Sequence, residues 1–186
     1  QNRKALLPIA IHNELPHIKI LLGEADCSFN PAILAMLDTG ATLSVGYSEF
    51  ILGICEMYPS LVAGIVWAAD KYLPIELSGV NDGEERNDSD APAVERNQLS
   101  AVVTFHMPYL TVNNHPTSIS IAIGKQVAVN VLIGMSFIKQ TKLIIDMADN
   151  VVESKVLQCD PFELHLKPAS RSLPNKIPED FLPDHA

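Results

Sequence analysis

The sequence has 186 residues, 47% hydrophobic and 19% charged, which is enough apolar material for one packed core and excludes a wholly disordered chain. Its formal net charge of -9 argues against nucleic-acid binding, because phosphate contacts need clustered Lys and Arg. The longest apolar runs, such as residues 61–69, are far too short to span a bilayer. We therefore expect neither a nucleic-acid nor a membrane partner.

The three cysteines, Cys27, Cys55 and Cys159, are widely spaced and form no CxxC pair. This pattern predicts reduced, mostly buried thiols rather than a disulfide framework or a zinc site. The polar first residues lead into no signal-peptide hydrophobic stretch. Together these features favour an intracellular, cytoplasmic setting.

Short β-branched or Leu-rich runs separated by turn residues occupy most of the chain and predict a mainly β protein. The turns are expected at residues 13–16 and 113–116. The predicted strands are residues 6–11, 17–22, 33–37, 73–80, 98–107, 118–123, 127–133 and 142–146.

The helical signal is confined to three short segments. Ser48 is expected to cap a helix that ends before Pro59, and residues 136–140 favour one helical turn after Gly134. Residues 59–69 are ambiguous, since their β-branched side chains also suit a strand. We favour a helix there, because Pro suits the first helical position.

Two regions differ from the rest in composition. Residues 81–97 contain six acidic and two basic side chains with few apolar ones, which is typical of a solvated loop. The chain from Lys167 onward is rich in Pro and has little periodicity, which is typical of a spacer. We therefore expect one domain over residues 1–166 and a tail over residues 167–186.

The sequence lacks the common nucleotide-binding and hydrolase motifs GxGxxG, GxxxxGK[ST], GxSxG and HExxH. The nearest metal-like spacing joins His12 and His17, but they are five residues apart and Pro16 interrupts any helix between them. The acidic residues of 81–97 lack the spacing of a calcium loop. We expect neither a metal site nor a cofactor.

One motif indicates chemistry. The apolar strand over residues 33–37 runs directly into Asp38-Thr39-Gly40-Ala41, and an Asp at the end of a buried strand is costly unless it is hydrogen-bonded or functional. Thr39 supplies a hydroxyl, Gly40 allows close backbone approach, and Ala41 leaves room for a ligand. By itself the motif is also consistent with a turn that closes a strand.

A second motif, Leu132-Ile133-Gly134, follows downstream and leads into the predicted helical turn. With Leu37-Asp38-Thr39-Gly40-Ala41 before it, the chain resembles the retropepsin-like aspartic proteases of retroviruses and LTR retrotransposons over about residues 15–152. The resemblance implies a retropepsin-like barrel in which Gly134 packs beneath the loop that carries Asp38.

The same resemblance implies a flap hairpin over about residues 73–107. Ser78, Gly79 and Val80 are then the residues expected to contact substrate, and the acidic residues 81–97 would lie at the flap tip. This long, charged insert departs from the compact viral pattern.

Only one Asp-Thr-Gly motif is present, and aspartic proteolysis needs two carboxylates about one water. The resemblance therefore implies a twofold homodimer with Asp38 of each copy on the axis, Thr39 bracing the two loops and Gly40 lying along the substrate backbone. The implied function is an aspartic endopeptidase that processes a retroelement polyprotein.

Two other interpretations stay open. A dimer with this fold could bind peptides, or assemble a larger protein, without cutting, since fold alone does not determine function. Asp38 could also simply cap a turn in a structural β-domain. The intact Asp38-Thr39-Gly40-Ala41 favours the enzyme, because decayed copies usually lose the acid first.

Overall fold

The computed structural model describes residues 14–23, 31–68 and 99–170, apart from the side chains of 108 and 109. These residues form a mainly β fold with two α-helices, which confirms the prediction of a mainly β protein. The helices are α1 (Ser48–Met57) and α2 (Met135–Thr141), and a 3-10 turn covers Pro59–Leu61. The strands are β1 (Leu15–Leu21), β2 (Ala32–Leu37), β3 (Val45–Tyr47), β4 (Val62–Trp67), β5 (Ala101–Val112), β6 (His115–Gly124), β7 (Val131–Ile133), β8 (Leu143–Asp146), β9 (Val151–Ser154), β10 (Phe162–Glu163) and β11 (His165–Lys167).

Eight strands form the main sheet in the order β11-β1-β2-β7-β3-β6-β5-β4. The pairs β2–β7 and β3–β6 are parallel, and the other neighbouring pairs are antiparallel. Strand β7 therefore lies between β2 and β3, the two strands that the Asp38 segment connects. The remaining strands form a small sheet in the order β10-β9-β8.

One face of the main sheet carries the main hydrophobic core. Ile18, Ile20 and Ile33 are fully buried there, since alternate residues of a strand point to the same face. The apolar sides of α1 and α2 cover this face, and each fully buried side chain of this size contributes about 1.5–3 kcal/mol to stability. The helical contributors are Phe50, Ile51, Ile54, Phe137 and Ile138.

The helix predicted for residues 59–69 is wrong. Pro59 begins a 3-10 turn, and the chain then continues as β4, which pairs antiparallel with β5 and has a register shift between Val62 and Gly64. The β-branched side chains Val62, Ile65 and Val66 suit a strand, and a long neighbouring strand decides the outcome over the local preference of Pro for a helix start.

The hairpin expected between residues 73–80 and 98–107 has its first half outside the described residues. Residues 101–107 of the second half lie in β5, which pairs with β4 on one side and β6 on the other over Ala101–Phe105. Over Ala101–Phe105 both edges of β5 are therefore occupied, one by β4 and the other by β6. Residues 1–13, which include the predicted strand 6–11, and the acidic residues 81–97 also lie outside the described part.

Several element boundaries differ from the predicted ones by a few residues. Strand β1 begins at Leu15 inside a predicted turn, and Tyr47 rather than Ser48 precedes the first turn of α1. Only Val131–Ile133 of the predicted strand 127–133 is β structure, although Val127 and Val129 are buried. The turn predicted at residues 113–116 is confirmed at Asn113 and Asn114, both with positive φ.

Candidate active site

Strand β2 carries Asp38 to the end of the buried sheet. The backbone N–H of Asp38 donates to the carbonyl of Ile133 at 3.0 Å, which extends the parallel β2–β7 ladder by one residue. Asp38 is half-buried, while Thr39 and Gly40 are exposed. The carboxylate thus lies where the packed interior ends and another molecule can reach it.

The loop after β2 orients the Asp38 carboxylate. The backbone N–H of Gly40 donates to Asp38 Oδ1 at 2.8 Å, and the N–H of Ala41 donates to the Asp38 carbonyl at 3.3 Å. A Cβ atom on Gly40 would lie 3.2 Å from Asp38 Oδ1, tighter than most contacts of a real Cβ. A glycine here lets the amide reach the carboxylate without a side chain crowding it.

The segment that follows β7 holds this loop from behind. Met135 N–H donates to the Ala41 carbonyl at 2.7 Å, and Ser136 N–H donates to the Thr42 carbonyl at 2.9 Å. The backbones approach so closely that a Cβ atom on Gly134 would lie 2.2 Å from the Leu43 carbonyl oxygen. No other residue type fits at Gly134 without moving the loop.

A second apolar cluster lies on the face of the sheet opposite the main core. Asp38 follows Met36 by two residues, so in an extended chain the carboxylate points to the same face as this cluster. Partly buried Ala41 and Leu43 pack against it from the loop. Five neighbouring strands each contribute one residue to a continuous row: Met36, Leu132, Val45, Ala122 and Val102.

Comparisons with known proteins leave the family unassigned. No protein-family model matches this sequence, and no curated protein matches it. Among solved structures, the chain is similar to the retroviral protease-like domain of Ddi1 from Leishmania major, over 80% of this chain and 93% of that chain. The sequence identity is 9% and the TM-score 0.33. A likeness this distant carries no function, so the chemistry must be derived from this chain's own residues.

The structure brings the two predicted motifs together. Asp38, Thr39, Gly40 and Ala41 form the loop, and Leu132, Ile133 and Gly134 form the strand end and turn behind it. Leu132 and Ile133 are fully buried, with Leu132 in the second cluster and Ile133 in the main core. The predicted flap contacts Ser78, Gly79 and Val80 lie outside the described residues.

Sequence reasoning missed Ser44. Its side chain is 2% exposed, its Oγ accepts the Gly134 N–H at 3.1 Å, and its carbonyl accepts the Ala122 N–H at 3.0 Å. The only local signal is a single small hydroxyl residue between the apolar Leu43 and Val45. That signal has no meaning until Gly134, which is distant in sequence, is known to lie beside it.

The two cysteines in the described part are free and half-buried, in agreement with the predicted reduced thiols. Burial raises the pKa of Cys55 to about 11, and burial together with the Asp160 charge raises the pKa of Cys159. Both thiols are therefore protonated at neutral pH and poor nucleophiles.

Residues 14–23, 31–68 and 99–170 contain no cluster of His, Cys, Asp or Glu arranged to hold a metal ion. Neither of the two helices there has the length and hydropathy needed to cross a membrane.

Proposed function

We propose that this chain is an aspartic endopeptidase, with an active site built from Asp38 and the Asp38 of a second copy. The observation that carries the proposal is the Asp38 loop itself. Its carboxylate is oriented by the Gly40 N–H, lies at the margin of the buried sheet and shares a face with an apolar cluster. An oriented acid beside an apolar surface suits the cleavage of a peptide with apolar side chains.

The chemistry requires a second carboxylate. When two carboxylates lie close together they cannot both ionise readily, so one keeps its proton while the other acts as a base. The ionised group takes a proton from water as the water oxygen bonds to the peptide carbonyl carbon. The protonated group then supplies the proton for the peptide nitrogen as the C–N bond breaks.

A second copy of the chain is the proposed source of that carboxylate. The sequence has a single Asp-Thr-Gly motif, and in the described chain Thr39 and Gly40 are exposed beside Asp38. A twofold axis at this loop would place the two Asp38 side chains together and allow Thr39 to brace the opposing loop. Gly40 would then lie along the substrate backbone.

The proposed substrate is an extended peptide. Most of the row from Met36 to Val102 is buried, so the apolar surface proposed for substrate side chains is the half-buried Ala41 and Leu43 at its edge near Asp38. Peptides in such sites make strand-like backbone hydrogen bonds, while alternate side chains enter pockets. The flap contacts proposed for Ser78, Gly79 and Val80 complete the site, and a retroelement polyprotein is the proposed natural substrate.

Peptide cleavage by the purified chain, from mildly acidic to neutral pH, tests the proposal. Asp38→Asn should abolish cleavage while preserving the fold, because an amide oxygen can still accept the Gly40 N–H. A pepstatin-type inhibitor should also block cleavage. Cleavage that survives Asp38→Asn would show that the site is elsewhere.

Asp146→Asn is the matched control. Asp146 also ends a strand, and its Oδ1 accepts the backbone N–H groups of Ala148 and Asp149 at 2.9 and 3.0 Å. Asp146→Asn changes a similar turn at the end of β8, in the small sheet, whereas Asp38 follows β2 of the main sheet. It should therefore leave cleavage intact. A folded wild-type dimer that cleaves nothing would favour the silent peptide-binding or assembly module.

A further inference from the structure

One peptide group links Asp38 to Ser44. The peptide unit between Ile133 and Gly134 accepts the Asp38 N–H at its oxygen, at 3.0 Å, and donates its own N–H to Ser44 Oγ, at 3.1 Å. A peptide unit is planar and rigid, so turning its N–H also turns its carbonyl oxygen. The orientation of the group that holds Asp38 therefore depends on the Ser44 hydroxyl.

Ser44 differs from the other groups that hold this segment. The N–H groups of Gly134, Met135 and Ser136 donate in succession to Ser44 Oγ and to the carbonyls of Ala41 and Thr42. These donors lie at the start of α2, where a helix leaves its N–H groups unpaired. Of the three acceptors only Ser44 Oγ belongs to a side chain, so only this contact can be removed by a substitution that leaves the backbone unchanged.

Burial makes the contact hard to replace. Ser44 is 2% exposed and its hydrogen bond to Gly134 is buried. Without the hydroxyl, the Gly134 N–H becomes a buried donor without its acceptor, and such a group is unfavourable enough to rotate or shift. The close approach of Gly134 to the Leu43 carbonyl leaves little room for a shift toward the loop.

We propose that Ser44 is a positioning residue for Asp38, acting through the Ile133–Gly134 peptide group. The expected effect of Ser44 on catalysis rests on the proposed peptidase function. Its effect on how the Asp38 backbone is held rests on the geometry alone. Ser44 does not contact substrate. It sets the direction in which the Asp38 backbone is held and thereby the placement of the carboxylate.

Steady-state kinetics of Ser44→Ala tests the catalytic consequence. We expect kcat to fall about tenfold or more with KM little changed, since a small misplacement of a reacting group costs rate rather than binding. We also expect a shifted pH profile, and Ser44→Thr, which keeps the hydroxyl, should recover most of the rate. An unchanged kcat and pH profile in folded Ser44→Ala would overturn the inference.

Thr141→Val is the matched control. Thr141 is 1% exposed, and its Oγ1 donates to the Phe137 carbonyl at 2.7 Å, at the opposite end of α2 from Gly134. This variant also removes a buried hydroxyl hydrogen bond of the same helix. It should lower stability but leave kcat per folded molecule unchanged. An equal fall of kcat in both variants would mean that Ser44 acts only through stability.

Amide hydrogen exchange measured by NMR separates this inference from the proposed function. In Ser44→Ala the amides of Asp38 and Gly134 should exchange about tenfold faster or more, and in Thr141→Val they should not. If the wild-type chain has no peptidase activity, the proposed function is overturned. The same exchange pattern would still support the link from Ser44 to Asp38. Unchanged exchange at Asp38 in Ser44→Ala would overturn the link whatever the activity.

Discussion

Gly134 and the carbonyl oxygen of Leu43 approach so closely that a Cβ atom on Gly134 would lie 2.2 Å from that oxygen. The contact brings the end of β7 against the loop that carries Asp38, and the hydrogen bonds of Met135 and Ser136 to Ala41 and Thr42 then close over it. A missing side chain at one position thus allows two segments that are far apart in sequence to form one unit.

Gly134→Ala should disrupt that unit. The new methyl group meets backbone atoms rather than a flexible side chain, so either the loop or α2 must move. We expect the free energy of unfolding to fall by at least about 2 kcal/mol, measured by urea denaturation. Any peptidase activity should be lost at temperatures where the variant is still folded.

Gly64→Ala is the control for that experiment. Gly64 lies in β4, and a Cβ atom there meets nothing within 4 Å. We expect its stability to change by less than about 1 kcal/mol, because the added methyl group enters open space. Equal losses in the two variants would contradict the close approach at Gly134.

Gln158 should anchor the turn between β5 and β6. Its side-chain Oε1 accepts the Thr111 hydroxyl at 3.0 Å and the Asn114 backbone N–H at 2.8 Å. The backbone N–H of Gln158 donates to the Thr111 carbonyl at 2.8 Å. Gln158→Ala should lower the free energy of unfolding by about 1 kcal/mol and speed exchange of the Asn114 amide. Gln158→Glu keeps the acceptor oxygens and should protect that amide as the wild type does.

Cys55 should react slowly with thiol reagents in the folded protein. Burial raises its pKa from the ordinary 9.0 to about 11, so at pH 8 its thiolate fraction is roughly a hundredfold below that of an ordinary thiol. Alkylation followed by mass spectrometry can compare Cys55 in the folded chain with the same residue in urea. Equal rates would contradict the raised pKa.

The same shift has a consequence for stability. Above pH 9.0 the unfolded chain loses the Cys55 proton, while the folded chain keeps it up to about pH 11. The folded state then binds more protons, so the contribution of Cys55 to stability is fully present below pH 9.0 and is lost as the pH rises to about 11. Cys55→Ala should flatten this part of the stability profile, as measured by denaturation at several pH values.

Two motifs of the candidate site are visible in the sequence alone. Asp38-Thr39-Gly40-Ala41 and Leu132-Ile133-Gly134 were identified because an apolar strand that ends in Asp or Gly is visible within a few residues. The strands β1, β2, β6 and β8 were also located, since their short apolar runs stand between turn residues. These features depend only on neighbours along the chain.

The features that the sequence did not predict correctly depend on partners that are distant along the chain. Pro59 favours a helix at β4, and the pairing with β5 that outweighs this preference spans a long intervening segment and gives no local signal. The short strands β10 and β11 were not predicted, as each is held by a few pairs to β9 or β1. Ser44 was missed for the same reason, since its role is defined only by Gly134.

In the proposed peptidase, one active site uses Asp38 from two copies of the chain. Mixing wild-type and Asp38→Asn chains at constant total concentration, with time to exchange partners, tests it most directly. In an equal mixture of freely exchanging dimers, about one quarter carry two Asp38 side chains. A site within one chain would instead leave half of the molecules active.

The cleavage rate of the mixture should be measured at concentrations where the dimer is fully formed. An equal mixture of wild-type and Asp146→Asn chains is the control and should keep the full rate. We predict that an equal mixture with Asp38→Asn retains about one quarter of the wild-type cleavage rate. A retained rate of about one half would contradict the shared site and place catalysis within a single chain.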